Sequence, residues 1–264
     1  MASPPPLPLH TLEFTIRNDQ GEVIADQKIG NLLSVYDQAS GDLSTIAFGT
    51  APVTKGVTGW GWSTVDVTGA TDSPIQSSLT WNSSNASVQL KATGNVDPTM
   101  TYSFAAKNNT LTNQTYTFSY GESILPSIAG DYFVNADIAG SVTRGNLTQD
   151  AQITPTFTKI QTLRLSTDGG FTFLNAGVDV GTTHTSSFKT NPFGTEYAEA
   201  YGNLSDINYW QFDVSFILTP NKDAAALSGS AEIIAIPEPA TYAGLMGGLT
   251  LVGAMLRRRQ KRVF

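Results

Sequence analysis

The stretch MTYSFAAKNNTLTNQTYTFSYG, residues 100–121, decides the fold class. In its first arm Tyr102 and Phe104 alternate with Thr101 and Ser103; in its second Tyr116, Phe118 and Tyr120 alternate with Thr117 and Ser119. A period of two puts the aromatic side chains of each arm on one face of an extended strand, whereas a helix would scatter them. Thr, Tyr and Phe also suit a pleated, half-buried surface. The segment therefore reads as two strands around an Asn-rich connection, and its aromatic rows read as core rather than as a ligand platform.

The same pattern extends in both directions. LEFTI (12–16), GWGWSTVDV (59–67), SSLTW (77–81) and ASVQLKAT (86–93) alternate, or nearly so. LRLS and FTFL flank Asp168-Gly169-Gly170, a hairpin turn signal, and NYWQFDVSFIL (208–218) and GSAEIIAI (229–236) follow. No helical period runs through the body, and no fixed-period repeat points to a propeller or solenoid. These features predict one antiparallel all-β domain over 10–236, a β-sandwich or jelly roll, with a split near 121–130 as the alternative. The stretch 181–197 is the longest candidate loop. Residues 1–9, rich in proline, read as a leader without the basic and apolar regions of a signal peptide.

Of 264 residues only 14% are charged, so Ser, Thr, Asn and Gly carry the surface polarity. Up to Ile236 there are 10 Lys and Arg against 21 Asp and Glu, a balance of −11 that disfavours nucleic acid as a partner. The absence of cysteine excludes disulfides, thiolate metal sites and a cysteine nucleophile.

Motifs with chemistry are few. The two histidines, His10 and His184, read as solvated loop residues, and none of the familiar metal, nucleotide or hydrolase motifs occurs. Asp131, Asp137, Asp179, Glu196, Glu199 and Asp206 supply carboxylates without a diagnostic context and read as surface acids. Trp60, Trp62, Trp81 and Trp210 read as core or rim, with a sugar-stacking platform as the alternative. Six Asn-x-Ser/Thr sites reflect the Ser, Thr and Asn content. STDGGFTF (166–173) resembles the Asp-box hairpin of sialidases and other β-proteins through Ser166, Asp168, Gly170, Thr172 and Phe173. The resemblance implies a structural role for Asp168, and its single occurrence disfavours sialidase activity.

The last residues differ in kind. Pro237-Glu238-Pro239 precedes 17 uncharged residues, 240–256, and then Arg257, Arg258, Arg259, Lys261 and Arg262. As a helix the run spans about 25 Å, the short end of what a bilayer needs. The cationic cluster would hold its end on the cytoplasmic side, placing the acidic body across the membrane. The two prolines break regular structure before the helix and leave an extended stretch open to a protease. This three-part tail resembles the PEP-CTERM sorting signal of exported bacterial proteins, and body stretches such as 95–130 are similar to β-rich regions of that group.

The resemblance implies Pro237, Glu238 and Pro239 as the processing motif and Arg257, Arg258, Arg259, Lys261 and Arg262 as the stop and orientation signal. It also implies an exosortase as processing partner, anchoring in the inner membrane before processing, and release to the cell surface or beyond. An N-terminal signal peptide is expected of the group, and residues 1–9 do not have that form. The body is expected to be a non-catalytic envelope or matrix protein without cofactor or metal. Binding of extracellular polysaccharide is the alternative, and an uncharacterised hydrolase ranks third.

Overall fold

The computed structural model describes residues 10–30, 60–62, 75–95 and 98–236. The described residues form thirteen strands and no helix. They are β1 (His10–Arg17), β2 (Val23–Gly30), β3 (Trp60–Trp62), β4 (Ile75–Asn82), β5 (Ala86–Asn95), β6 (Thr99–Asn108) and β7 (Gln114–Thr143), then β8 (Ala151–Pro155), β9 (Gln161–Ser166), β10 (Leu174–Asn175), β11 (His184–Ser186), β12 (Thr190–Leu218) and β13 (Ala224–Ala235). Every pairing is antiparallel. The all-β antiparallel class expected from residues 100–121 is therefore present, with the two arms in β6 and β7.

All strands belong to one hydrogen-bonded sheet, which folds over on itself. Two strands make this possible: β7 has 30 residues and β12 has 29, and they pair along both of their halves. Their first and second halves lie in different layers. The first half of β7 pairs with β1 and with the second half of β12, which also carries β8 and β9. The second half of β7 pairs with β13, which continues through β6 and β5 to β4 and β3. Pairing between β7 and β12 is irregular where the strands turn over: β12 shifts register at Leu204, Ile207 and Tyr209, opposite 123–130 of β7. Pro126, which has no N–H for a ladder, and Gly130, at φ +90°, sit in this bend.

The aromatic rows close the space between the layers. Phe104 of β6 lies 5.0 Å from Phe118 of β7 and 5.7 Å from Phe216 of β12, ring centre to ring centre. Tyr102 stands edge-on to Phe118 and Phe212 at 5.0 and 5.4 Å. Tyr102, Phe104, Tyr116, Phe118 and Tyr120 are all buried, as their alternation predicts. Each fully buried aromatic contributes on the order of 1.5–3 kcal/mol by leaving water, and offset ring pairs add to that.

Three expectations need correction. The stretch 181–197 is not one loop, because β11 lies within it and β12 begins at Thr190. FTFL is not a full strand: 167–173 form the turn and only Leu174 and Asn175 pair back, with Leu165 and Arg164. The sequence suggested separate sheets, yet the layers share β7 and β12. The C-terminal helix expected after Pro239 lies outside the described residues.

Candidate functional site

The alternation that buries the aromatic rows turns their neighbours outward. Thr117 and Ser119 of β7, Gln211, Asp213 and Ser215 of β12, and Thr162 and Arg164 of β9 share the outer face of the first layer. Asp213 stands opposite Ser119 on one side and Thr162 on the other, and Gln211 stands opposite Arg164. Asp213 organises this face. Its Oδ1 accepts hydrogen bonds from the Ser119 hydroxyl at 2.6 Å and from the Gln211 amide at 2.7 Å, and its Oδ2 meets Arg164 Nε at 2.6 Å. An exposed ion pair of this kind adds little stability. Its effect is geometric: it anchors Arg164 to the floor through Nε, one of the guanidinium's five donors.

Two walls rise from that floor. The first comes from an interruption between β8 and β9, which lie end to end along β12. Ser215 donates its N–H to Ile160 O at 2.8 Å and accepts from Thr156 N–H at 3.4 Å, so 157–159 are extruded from the ladder. Ile160 returns to the core, while Phe157 is left 80% exposed with Lys159 beside it. The second wall is Phe173, at the end of the Asp168 hairpin. Between them lies a cleft of about 270 Å³ floored by Thr117, Thr162, Arg164, Gln211, Asp213 and Ser215.

The hairpin is held as the Asp-box resemblance implies. Asp168 Oδ1 accepts from the Ser166 hydroxyl at 2.7 Å, Thr172 N–H at 2.9 Å and Phe171 N–H at 3.0 Å; Oδ2 accepts from the Thr172 hydroxyl at 2.6 Å. The Thr172 hydroxyl, the Thr172 N–H and the Ser166 hydroxyl hold the carboxyl down at about 2. Gly169 and Gly170 both take positive φ, which a side chain would resist. Asn208 ties the turn to β12, accepting from Gly169 N–H at 2.9 Å and donating to Thr167 O at 3.0 Å.

Tyr209 lies beneath this hairpin. Its ring centre is 6.0 Å from that of Phe173, and it crosses the bare backbone of Gly121 to bring its hydroxyl within 2.6 Å of Thr11 Oγ1 on β1. Burial pushes the phenol up to about 12, so it remains protonated.

The other sequence-derived candidates fall elsewhere. Pro237, Glu238, Pro239, Arg257, Arg258, Arg259, Lys261 and Arg262 lie outside the described residues. Trp81 and Trp210 are fully buried, so they form no stacking platform. Trp60 and Trp62 lie on β3, opposite Trp81 and Leu79 in register. His184 is not a solvated loop residue. It belongs to β11, stacks on Phe193 at 3.7 Å and meets Glu196 Oε1 at 2.9 Å. Partial burial raises the Glu196 carboxyl, but hydrogen bonds from the Thr182 hydroxyl and N–H, His184 and Gly181 N–H outweigh it and hold the group below its ordinary value.

Asp131, Asp137, Asp179 and Glu199 each engage an amide or hydroxyl, from Asn203, Ser230, Asn175 and Tyr197 respectively, while Asp206 lies exposed in the bend. Among the described residues no three metal-ligating groups cluster. Arg164, Gln211 and Asp213 were not singled out in the sequence. Their signal there was only their outward parity in QTLRLS and WQFDVS.

No family model and no curated protein matches the chain. Several solved structures match the chain at low similarity. The carbohydrate-binding module TmCBM61, in complex with β-1,4-galactotriose, is 10% identical over 56% of this chain and 88% of its own, with a TM-score of 0.27. The enzymatically active domain of bacteriophage CBA120 tailspike protein 4 is 12% identical over 56% of this chain and 19% of its own, at 0.25. The infectious bursal disease virus Gx strain structure is 9% identical over 90% of this chain and 54% of its own, at 0.29. Likenesses this distant carry no argument about function.

Proposed function

We propose that the chain is an exported bacterial envelope or matrix protein whose β body binds polysaccharide without catalysis, in the cleft between Phe157 and Phe173. The observation that carries this reading is the Arg164–Asp213–Gln211 floor between two phenyl walls. A sugar ring has apolar C–H faces and a rim of hydroxyls. Aromatic rings cover the faces, while fixed carboxylate, amide and guanidinium groups exchange hydrogen bonds with the rim. Among the described residues the cleft is lined by one carboxylate, Asp213. Glycoside hydrolysis ordinarily needs two, one to protonate the leaving oxygen and one to attack or to activate water. Asp213 is also tied to three donors.

Export and sorting rest on the C-terminal residues. The order Pro237-Glu238-Pro239, apolar run and Arg257 to Arg262 supports recognition by an exosortase, transient anchoring in the inner membrane and delivery to the cell surface or matrix. A glycan array probed with the full chain tests the binding role. Arg164→Ala and Phe157→Ala should each weaken the bound glycan about tenfold or more with unchanged thermal melting, since both side chains face solvent. Binding that survives both substitutions, or an array with no bound glycan, would overturn the assignment of the cleft.

A further inference from the structure

The bend of β7 and β12 closes one end of the folded sheet, and the opposite end gathers loops. Hydrogen bonds link these loops into one surface. Arg144 N–H donates to Lys189 O, joining 144–150 to 187–189. Gly145 N–H donates to Asp223 Oδ1, joining the same loop to 219–223. Asn221 N–H donates to Thr110 O and Lys222 N–H to Asn108 O, joining 219–223 to 109–113. Three of these loops each lift one large apolar side chain into solvent: Leu111 is 83% exposed, Leu147 89% and Phe188 84%. Single exposed apolar residues are ordinary. Three of them on separate loops of one pole form a pattern.

On these four loops exposed cations outnumber exposed acids. Lys189 and Lys222 are exposed there. Arg144 pairs with Asp150 at 4.0 Å, and Asp223 is buried under bonds from Gly145 and Thr219. The solvent-facing balance on these four loops is therefore positive, while the β1–β2 turn at the same end adds exposed Asp19 and Glu22 beside Arg17. Lys222 also sits at φ +72°, after Asn221 at +66°, in a turn where glycine is the low-cost residue.

We propose that this pole is a lipid-contacting surface: Leu111, Leu147 and Phe188 dip into the acyl boundary of an anionic bilayer while Lys189 and Lys222 meet the headgroups. Shallow insertion of apolar tips with flanking cations draws on burial and electrostatic attraction together, so each element alone binds weakly. The pole lies at the opposite end of the sheet from Ile236, whose N–H donates to Asp131 O beside the bend, and adjoins the end of the cleft marked by Thr117 and Ser215, each three residues from the strand ends Gln114 and Leu218. Contact at this pole is therefore separate from anchoring through residues after Ile236.

The natural absence of cysteine allows a local probe in the full chain. Thr148→Cys, labelled with an environment-sensitive fluorophore, reports on the tip beside Leu147, and Ser228→Cys on the outer face of β13 serves as reference. With vesicles of phosphatidylcholine and phosphatidylglycerol, the label at 148 should shift to the blue and be quenched by bromolipids, while the label at 228 stays aqueous. Leu147→Ser with Phe188→Ser should abolish the shift, and Lys189→Glu with Lys222→Glu should reduce vesicle affinity at the tip about tenfold. A label at 148 that remains aqueous on vesicle-bound protein would overturn the proposal. So would a shift that appears without lipid, which would mark a contact between copies, or one equal on pure phosphatidylcholine and unaffected by the lysine substitutions.

Discussion

Replacing Gly121 by alanine tests how the fold holds the cleft wall. An added Cβ would fall 2.4 Å from Tyr209 Oη and 2.8 Å from its Cζ, inside any real contact distance. The ring cannot simply swing aside. It is buried, the Gly170 turn lies over it, and its hydroxyl is 2.6 Å from Thr11 Oγ1. Overpacking at such a site costs about 1–3 kcal/mol. Losing the Thr11 hydrogen bond adds about 0.5–1.5 kcal/mol. Alanine restores about 0.5–1 kcal/mol of strand propensity. The net destabilisation should be about 2 kcal/mol. With a urea slope of about 2.5 kcal/mol/M, the midpoint should fall by roughly 0.8 M.

A double-mutant cycle identifies the partner. In a Tyr209→Ala background Gly121→Ala should be neutral or slightly stabilising, giving a coupling of about 2 kcal/mol. Tyr209→Phe, which removes the nearest atom and keeps the ring, should relieve part of the cost and covers the case in which the alanine variant does not fold. Because Tyr209 underlies Phe173, Gly121→Ala should also weaken the glycan binding proposed for the cleft. A Gly121→Ala midpoint within error of the parent, or the same cost in the Tyr209→Ala background, would refute the reasoning.

Asp168→Asn should expose a pH dependence with a defined sign. The Asp168 carboxyl is depressed from 3.8 to about 2 in the folded protein, so its contribution is complete above about pH 4 and is lost as the pH falls toward 2. The parent's advantage in melting temperature over Asp168→Asn should shrink across that window, and an advantage that grows on acidification would contradict the assignment. Replacing Pro237-Glu238-Pro239 by three alanines, with a secretion signal supplied in a host that has an exosortase, should leave membrane insertion intact and stop release of the body. Fractionation and mass spectrometry showing equal release would reduce the motif to a linker.

The sequence by itself determined what depends on local order. A period of two in TYSF and TYTFSY sets which side chains share a face, and a one-residue slip would put every aromatic into water, so class and core of these strands were legible. The Asp168 hairpin was legible for the same reason: its bonds run between residues at most four apart. The tertiary structure decided everything that depends on non-local pairing. Periodicity cannot say that β7 and β12 run unbroken through two layers, since the signal weakens where the strands bend at 123–130 and 204–209. Nor does it distinguish Trp81 and Trp210 as core from Trp as a binding platform, because both uses place tryptophan on a strand. The cleft joins Thr117, Thr162 and Asp213, which are distant along the chain and become neighbours only by strand pairing. Its Phe157 wall exists because Ser215 bonds to both Thr156 and Ile160 and forces the residues between them outward. That constraint is set across strands, and no window of sequence contains both of its sides.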